Sequence, residues 1–204
     1  MKKILTLAAA AIMMVFATNA YAQLSVGAGY LRASQSTTRG DVQLNAPSNG
    51  AYAGVSYNLP IVSGLSIAPG LYYSFLFSND SEKILSLQYD SSFREHFANI
   101  PVYVNYAFPL GPNASLFLFA GPTVQFGLSS KVTVSADSDS IEIDQFKDRD
   151  YSRSNVLIGG GLGLNINRFQ ISAGYDYGLF NLNTADTGAI YRKTYAKVGV
   201  AYLF

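Results

Sequence analysis

The sequence predicts an all-β fold, an eight-stranded antiparallel up-and-down transmembrane β-barrel that follows a cleaved leader. Three observations predict it. Apolar residues alternate with small or polar ones over eight stretches, the period of a strand with one greasy face. The connections between those stretches are short and long in strict alternation, as in a barrel that spans a bilayer. Finally, the 204 residues include 15 Tyr, 13 Phe and 18 Gly but only 13% charged residues, a usage suited to strands in apolar surroundings.

The leader comes first. Met1-Lys2-Lys3 is basic, Ile4 to Ala17 is apolar apart from Thr6, and small residues close the segment in the pattern Ala20-Tyr21-Ala22. That is the layout of a secretory signal peptide cut after Ala22. The apolar run is shorter than the roughly 20 residues of a spanning helix. The expected organisation is therefore a signal peptide over 1–22 and a single barrel over 23–204.

Each strand is justified by its alternation. The first sets Leu24, Val26, Ala28 and Tyr30 against Ser25, Gly27 and Gly29. The second opposes Ala51, Ala53, Val55, Tyr57 and Leu59 to Tyr52, Gly54, Ser56 and Asn58. In the third, Leu65, Ile67, Leu71, Tyr73, Phe75 and Phe77 face away from Ser66, Ala68, Gly70, Tyr72 and Ser74. The fourth carries Ile100, Val102, Val104, Tyr106 and Phe108, the fifth Leu116, Leu118, Ala120, Val124 and Phe126. The sixth presents Val156, Ile158, Leu162, Leu164 and Ile166, with Gly159, Gly161 and Gly163 opposite. Phe169, Ile171, Ala173, Tyr175, Tyr177 and Leu179 form the greasy face of the seventh, and Thr194, Ala196, Val198, Val200, Tyr202 and Phe204 that of the last. Tight turns are expected at 60–64, 109–113 and 165–168, and long external loops at 31–50, 78–98, 129–154 and 181–193. Pro69, Pro101 and Pro122 fall inside strands and each removes a ladder donor, so bulges or bends are expected there.

The greasy faces then meet lipid, and the barrel closes because an open edge in hydrocarbon leaves backbone groups unpaired. The small and polar faces line the interior, with Tyr52, Tyr72, Tyr103, Phe117, Phe119 and Tyr195 filling it. The glycines between 159 and 163 make room for Phe117 and Phe119; they lack the spacing and following helix of a phosphate-binding loop. Asp176 and Lys197 share the interior of adjoining strands at similar depth, and a charge in a narrow lumen calls for a partner. An interior ion pair between them is expected.

Other chemistry is thin. There is no Cys and one His, and the net charge is +1, which excludes thiolate sites and a histidine-rich metal site and gives no electrostatic reason for a nucleic-acid partner. His96 lies near Ser91, Ser92 and Glu95, but neighbours along a strand point to opposite faces, which is not triad geometry. The acids of 137–144 lack the glycine and spacing of a calcium loop; Val132, Val134, Ile141 and Ile143 read instead as a hairpin extending past the membrane, its acids solvated. No cofactor, metal or catalytic residue is expected.

Three stretches carry a family resemblance: Asn99-Ile100-Pro101-Val102-Tyr103-Val104-Asn105-Tyr106, Leu118-Phe119-Ala120-Gly121-Pro122, and Gly174-Tyr175-Asp176-Tyr177-Gly178-Leu179. With these the chain resembles the outer-membrane β-barrel proteins that include the PorT-like proteins of Bacteroidetes-type bacteria. The resemblance implies a small OmpA/OmpX-type barrel in the outer membrane of a Gram-negative cell, with both termini periplasmic. It also implies that Val198, Val200, Tyr202 and Phe204 resemble the signal read by the outer-membrane insertion machinery. The expected role is structural or surface-interacting, with outer-membrane lipid and an extracellular ligand or protein at the loops as partners. A narrow porin-like channel is the alternative, and a lipid-modifying enzyme a more remote one.

Overall fold

The computed structural model describes residues 23–84, 87–136, 139–148, 150–185 and 188–204. The leader read over 1–22, with Ala20 and Ala22 at its cut, lies outside the described residues. The strands are β1 (Gln23–Arg39), β2 (Val42–Val62), β3 (Leu65–Ile84), β4 (Leu87–Gly111), β5 (Ala114–Ala136), β6 (Asp139–Asp144), β7 (Ser154–Ile166), β8 (Phe169–Gly178) and β9 (Ile190–Leu203), with one helical turn, α1 (Gln145–Asp148), after β6. All pairings are antiparallel. Eight strands form a ring, because β1 pairs β9 and β4 pairs β5, while β6 pairs only β5 and stands outside it.

Closure and alternation together fix what each face meets. Val26, Leu71, Val104, Leu118, Leu162, Ile171 and Val200 all point outward and are exposed, Val200 by 60%. Inward positions of the strands include Ser25, Ser66, Ser74, Thr123 and Gln125, all of them buried. Apolar outside and polar inside inverts the water-soluble arrangement and suits hydrocarbon around the cylinder. One end is trimmed by tight turns at Ser63-Gly64, Pro112-Asn113 and Asn167-Arg168. Gly64 and Asn167 there take positive φ values of 78° and 53°, backbone that glycine and asparagine adopt with least strain.

The other end corrects the expectation of long loops. Most of 31–50, 78–98 and 129–154 is strand: β1 and β2 pair out to Arg39 and Val42, β3 and β4 to Ile84 and Leu87, and β5 to Ala136, where β6 takes over. Of the fourth expected loop, the described residues 181–185 and 188–189 are largely irregular before β9 begins. Beyond the apolar belt β1 is polar on both faces, from Ser34 to Thr38, so the alternation that marks a strand fades there, whereas the expected β5–β6 hairpin keeps Val132, Val134, Ile141 and Ile143 in alternation.

The prolines give a second correction. Register runs unshifted past Pro69, Pro101 and Pro122, with pairs merely skipped beside them. A missing N–H removes one hydrogen bond, whereas a bulge needs an extra residue. The shifts fall instead at Pro60/Val62, His96/Phe97 and Pro109/Gly111. At the second of these Leu128 is the extra residue, lying between Gly127 opposite Phe97 and Ser129 opposite His96.

Candidate functional site

The lumen is a concave feature running through the ring, and its filling follows from which strands carry glycine. Tyr52 lies over Gly29 and Gly199, where an added Cβ would come within 2.7 Å and 3.0 Å of its ring. Phe119 and Phe117 lie over Gly161 and Gly163, where the corresponding approaches are 2.6 Å and 2.5 Å. Large rings from one wall thus fit into the bare backbone of another. Packing at this density is what a narrow barrel does with its interior.

From the turn end upward, the lumen opens as a cavity of about 190 Å³. Its rim is amide-lined, with Asn58, Asn105, Asn165 and Gln170 joined by bonds such as Asn105 Nδ2 to Asn58 Oδ1 (3.2 Å) and Gln170 Nε2 to Asn165 Oδ1 (3.0 Å). Midway sit Asp176 and Lys197. Their side chains form an ion pair, and Lys197 Nζ also donates to Tyr103 Oη at 3.0 Å. The pair lies diagonally across β8 and β9, since Gly174 faces Lys197 and Asp176 faces Tyr195. Asp176 is nearly sealed while the Lys197 side chain is 21% exposed to the cavity.

Above this the lumen shuts. Leu31, Leu76, Leu157, Phe97 and Tyr195 make a buried apolar layer, with Leu76 fully enclosed. Tyr195 keeps its hydroxyl satisfied by donating to Gln125 Oε1 at 2.9 Å. Beyond the layer lies a second ion pair, Glu95 with Lys193, whose side chains are 0% and 2% exposed. Phe93, Phe97 and Tyr151 surround the ammonium at 5.6 Å, 5.1 Å and 5.3 Å from their ring centres, a favourable cation–π cage.

A lid covers that pair. Tyr151 comes from the segment after α1 and donates to Gln35 Oε1 at 3.2 Å. It bridges Asn183 of the 181–189 connection, where Leu182 is buried and Ser152 N donates to Leu182 O at 2.8 Å. Phe146 of α1 fills the space above Gly127, and the Arg153 guanidinium stacks 5.0 Å from its ring.

Sequence reasoning placed Asp176 and Lys197 together, and the structure pairs them. It missed Glu95 with Lys193. Lys193 stood at an interior position of its strand, but Glu95 was read as part of a loop beside His96. Those two neighbours point apart: Glu95 inward to Lys193, His96 outward, where Nδ1 shares a hydrogen bond with the Tyr73 hydroxyl and the ring packs 4.8 Å from Phe75. No triad forms among His96, Glu95, Ser91 and Ser92. The acids at 137–144 are a hairpin, as β5–β6 pairing shows, but not all are free in water. Glu142 binds Lys131 at 2.6 Å, and Asp144 meets Lys147 at 3.7 Å. Asp137 and Ser138 lie outside the described residues.

Val198, Val200 and Phe204 are exposed on the outward face of β9. Tyr202 stands between Phe169 and Phe204 with ring centres 5.5 Å and 4.9 Å away, and Arg168 donates to its hydroxyl at 3.2 Å. With Tyr106 and Phe108, 4.8 Å apart, these rings make an aromatic girdle at the turn end.

The family model for the outer membrane protein beta-barrel domain matches residues 16–183. The chain belongs to that family. It is an outer-membrane protein, and the polar, plugged interior just described is a family barrel's lumen. Among solved structures, Ail, the attachment invasion locus protein of Yersinia pestis crystallised with the heparin analogue sucrose octasulfate, superposes with a TM-score of 0.50 at 16% identity, over 90% of this chain and 99% of that one. Neisserial surface protein A gives 0.47 at 14% identity, over 89% and 97%. The outer membrane enzyme PagL gives 0.46 at 12%, over 88% and 98%. Comparison with curated proteins gives no match. Identities this low speak to fold alone.

The lumen pair yields a prediction. Lys197→Met leaves the Asp176 carboxylate without its cation, at a cost of about 3 kcal/mol, near the lower end for a broken buried pair because Lys197 is partly wet. Lys197→Met with Asp176→Asn regains most of that loss. Urea midpoints of the barrel in detergent, read by the mobility difference between folded and heated protein, check both.

Proposed function

We propose that this family member is a non-conducting outer-membrane barrel whose extended hairpins engage partners at the cell surface. The carrying observation is the closed upper lumen: an apolar layer, a caged ion pair and a lid stand in series above a cavity reaching the turn end. Eight strands enclose a space that side chains can fill, unlike the larger aqueous porins. On this reading the tight turns and both termini face the periplasm and the β1–β2, β3–β4 and β5–β6 hairpins face outside. Purified barrel in a planar bilayer should give no reproducible single-channel steps; regular steps would favour the narrow-channel alternative.

No catalytic role belongs in this reading. His96 shares its hydrogen bond with Tyr73 and not with a serine or carboxylate. His96→Ala should therefore leave the lipid composition of the host's outer membrane unchanged, as mass spectrometry of extracted lipid would register. The outward residues of β9, Val198, Val200, Tyr202 and Phe204, are assigned to recognition by the insertion machinery, and the PorT-like subgroup is the one that the three sequence stretches favour. Asp176 with Lys197 is assigned a filling role, not transport.

A further inference from the structure

The cavity below the apolar layer is walled by hydrogen-bonding groups that the barrel itself does not use up. At its rim Asn58 accepts from Asn105 through Oδ1, and Gln170 donates to Asn165 through Nε2. That leaves Asn58 Nδ2, Asn105 Oδ1 and Gln170 Oε1 with no partner among the described residues. Deeper in, the Tyr52 hydroxyl makes no hydrogen bond among them either. None of these four atoms is sealed off, so each opens on the cavity that its residue lines.

Charge narrows what fits. Among the described side chains lining the cavity only Asp176 and Lys197 are ionised, and they neutralise each other. An ion entering would shed its water without meeting an uncompensated opposite charge. An apolar molecule would strand the four polar atoms, which is costly when no hydrogen bond replaces water. Aromatic surface stands beside them: the Tyr52 and Tyr72 ring centres are 5.9 Å apart, those of Tyr103 and Phe119 5.1 Å. Hydroxyls that both donate and accept, carried on C–H groups that pack against rings, answer both features. A volume of about 190 Å³ is below the roughly 300–1,000 Å³ of drug-sized ligand sites, which limits the occupant to one small ring.

We infer that the lumen cavity binds one uncharged, polyhydroxylated small molecule of monosaccharide size, which enters from the turn end. The rim amides and the Tyr52 hydroxyl bond its hydroxyls, and the Asp176–Lys197 pair forms part of the wall. The apolar layer stops it above, so the molecule is held and not passed through. This goes beyond the surface role proposed above and takes from it only the blind upper end. Channel steps in a planar bilayer would count against the closed barrel, whereas binding in detergent is read separately.

The test uses the barrel in a sugar-free zwitterionic detergent and reads saturation-transfer NMR to glucose, galactose and ribose at millimolar concentration. Gluconate and N-methylglucamine serve as anionic and cationic counterparts. Wild type should bind at least one of the three neutral sugars saturably and the charged compounds more weakly. Tyr52→Phe should weaken that binding by about tenfold, the size expected for one hydrogen bond. This variant keeps its ring over Gly29 and Gly199 and loses a hydroxyl that no described residue bonds, so the barrel stays folded, as gel mobility confirms. N58L/N105L removes both members of a rim pair together and should weaken binding as well. No transfer to any of the three sugars overturns the inference. So does wild-type affinity in both variants, which would put the sugar outside the lumen, or a charged compound bound as tightly as the neutral ones.

Discussion

Glu95→Gln alone, or Lys193→Met alone, should cost the barrel about 3–5 kcal/mol, the range for breaking a fully buried ion pair. Each single change leaves one buried charge with no counter-charge, Lys193 among the rings of Phe93, Phe97 and Tyr151 or Glu95 without its ammonium, because both side chains are sealed from the cavity by the apolar layer. Glu95→Gln with Lys193→Met should be much less harmful than either, since the desolvation penalty disappears together with the attraction. Urea midpoints of the three variants decide this. A double variant as unstable as the singles would mean that the pair is not an isolated couple but part of the lid's wider hydrogen bonding. Lys193 binds Glu95 Oε2, and Glu95 Oε1 has no hydrogen-bond partner among the described residues, which argues for the isolated couple.

Gly161→Val should prevent folding altogether. A Cβ at this position would come within 2.6 Å of both Gly174 Cα and Phe119 Cζ. The ring could swing away, but the neighbouring backbone of β8 cannot without breaking its register with β7 and β9. Overpacking of a closed core ordinarily costs 1–3 kcal/mol, and contact with ladder backbone exceeds that range. Gly111→Val is the control: an added Cβ there meets nothing within 4 Å. Equal refolding yields of the two variants into detergent would show that the lumen is looser than its packing implies.

The two predictions differ in how far the sequence announced them. The clash at Gly161 was legible, because glycine at alternating positions 159, 161 and 163 beside a strand with Phe117 and Phe119 already implied rings lying on bare backbone. Facing is similarly legible throughout the ring. Alternation is local to each strand, and once one residue's side is known every other follows from the two-residue period. The tight turns were legible for the same local reason. Asp176 and Lys197 were within reach, since consecutive strands joined by a known connection place residues at comparable depth.

The Glu95–Lys193 pair was not. These residues are 98 apart in sequence and belong to strands on different sides of the ring; their meeting depends on the stagger of the whole barrel and on the bulge at Leu128. The β1–β2 extension beyond the belt was hidden because water on both faces erases the alternation, whereas Val132, Val134, Ile141 and Ile143 announced the β5–β6 hairpin.

By itself, then, the sequence determined the class of the fold, the side of the wall each spanning residue occupies and the position of the tight turns, all consequences of short-range periodicity. Tertiary structure alone decided which charges meet across the lumen, where register slips and how Tyr151 and Leu182 close the mouth. Those depend on ring closure, which brings together side chains that no local pattern relates.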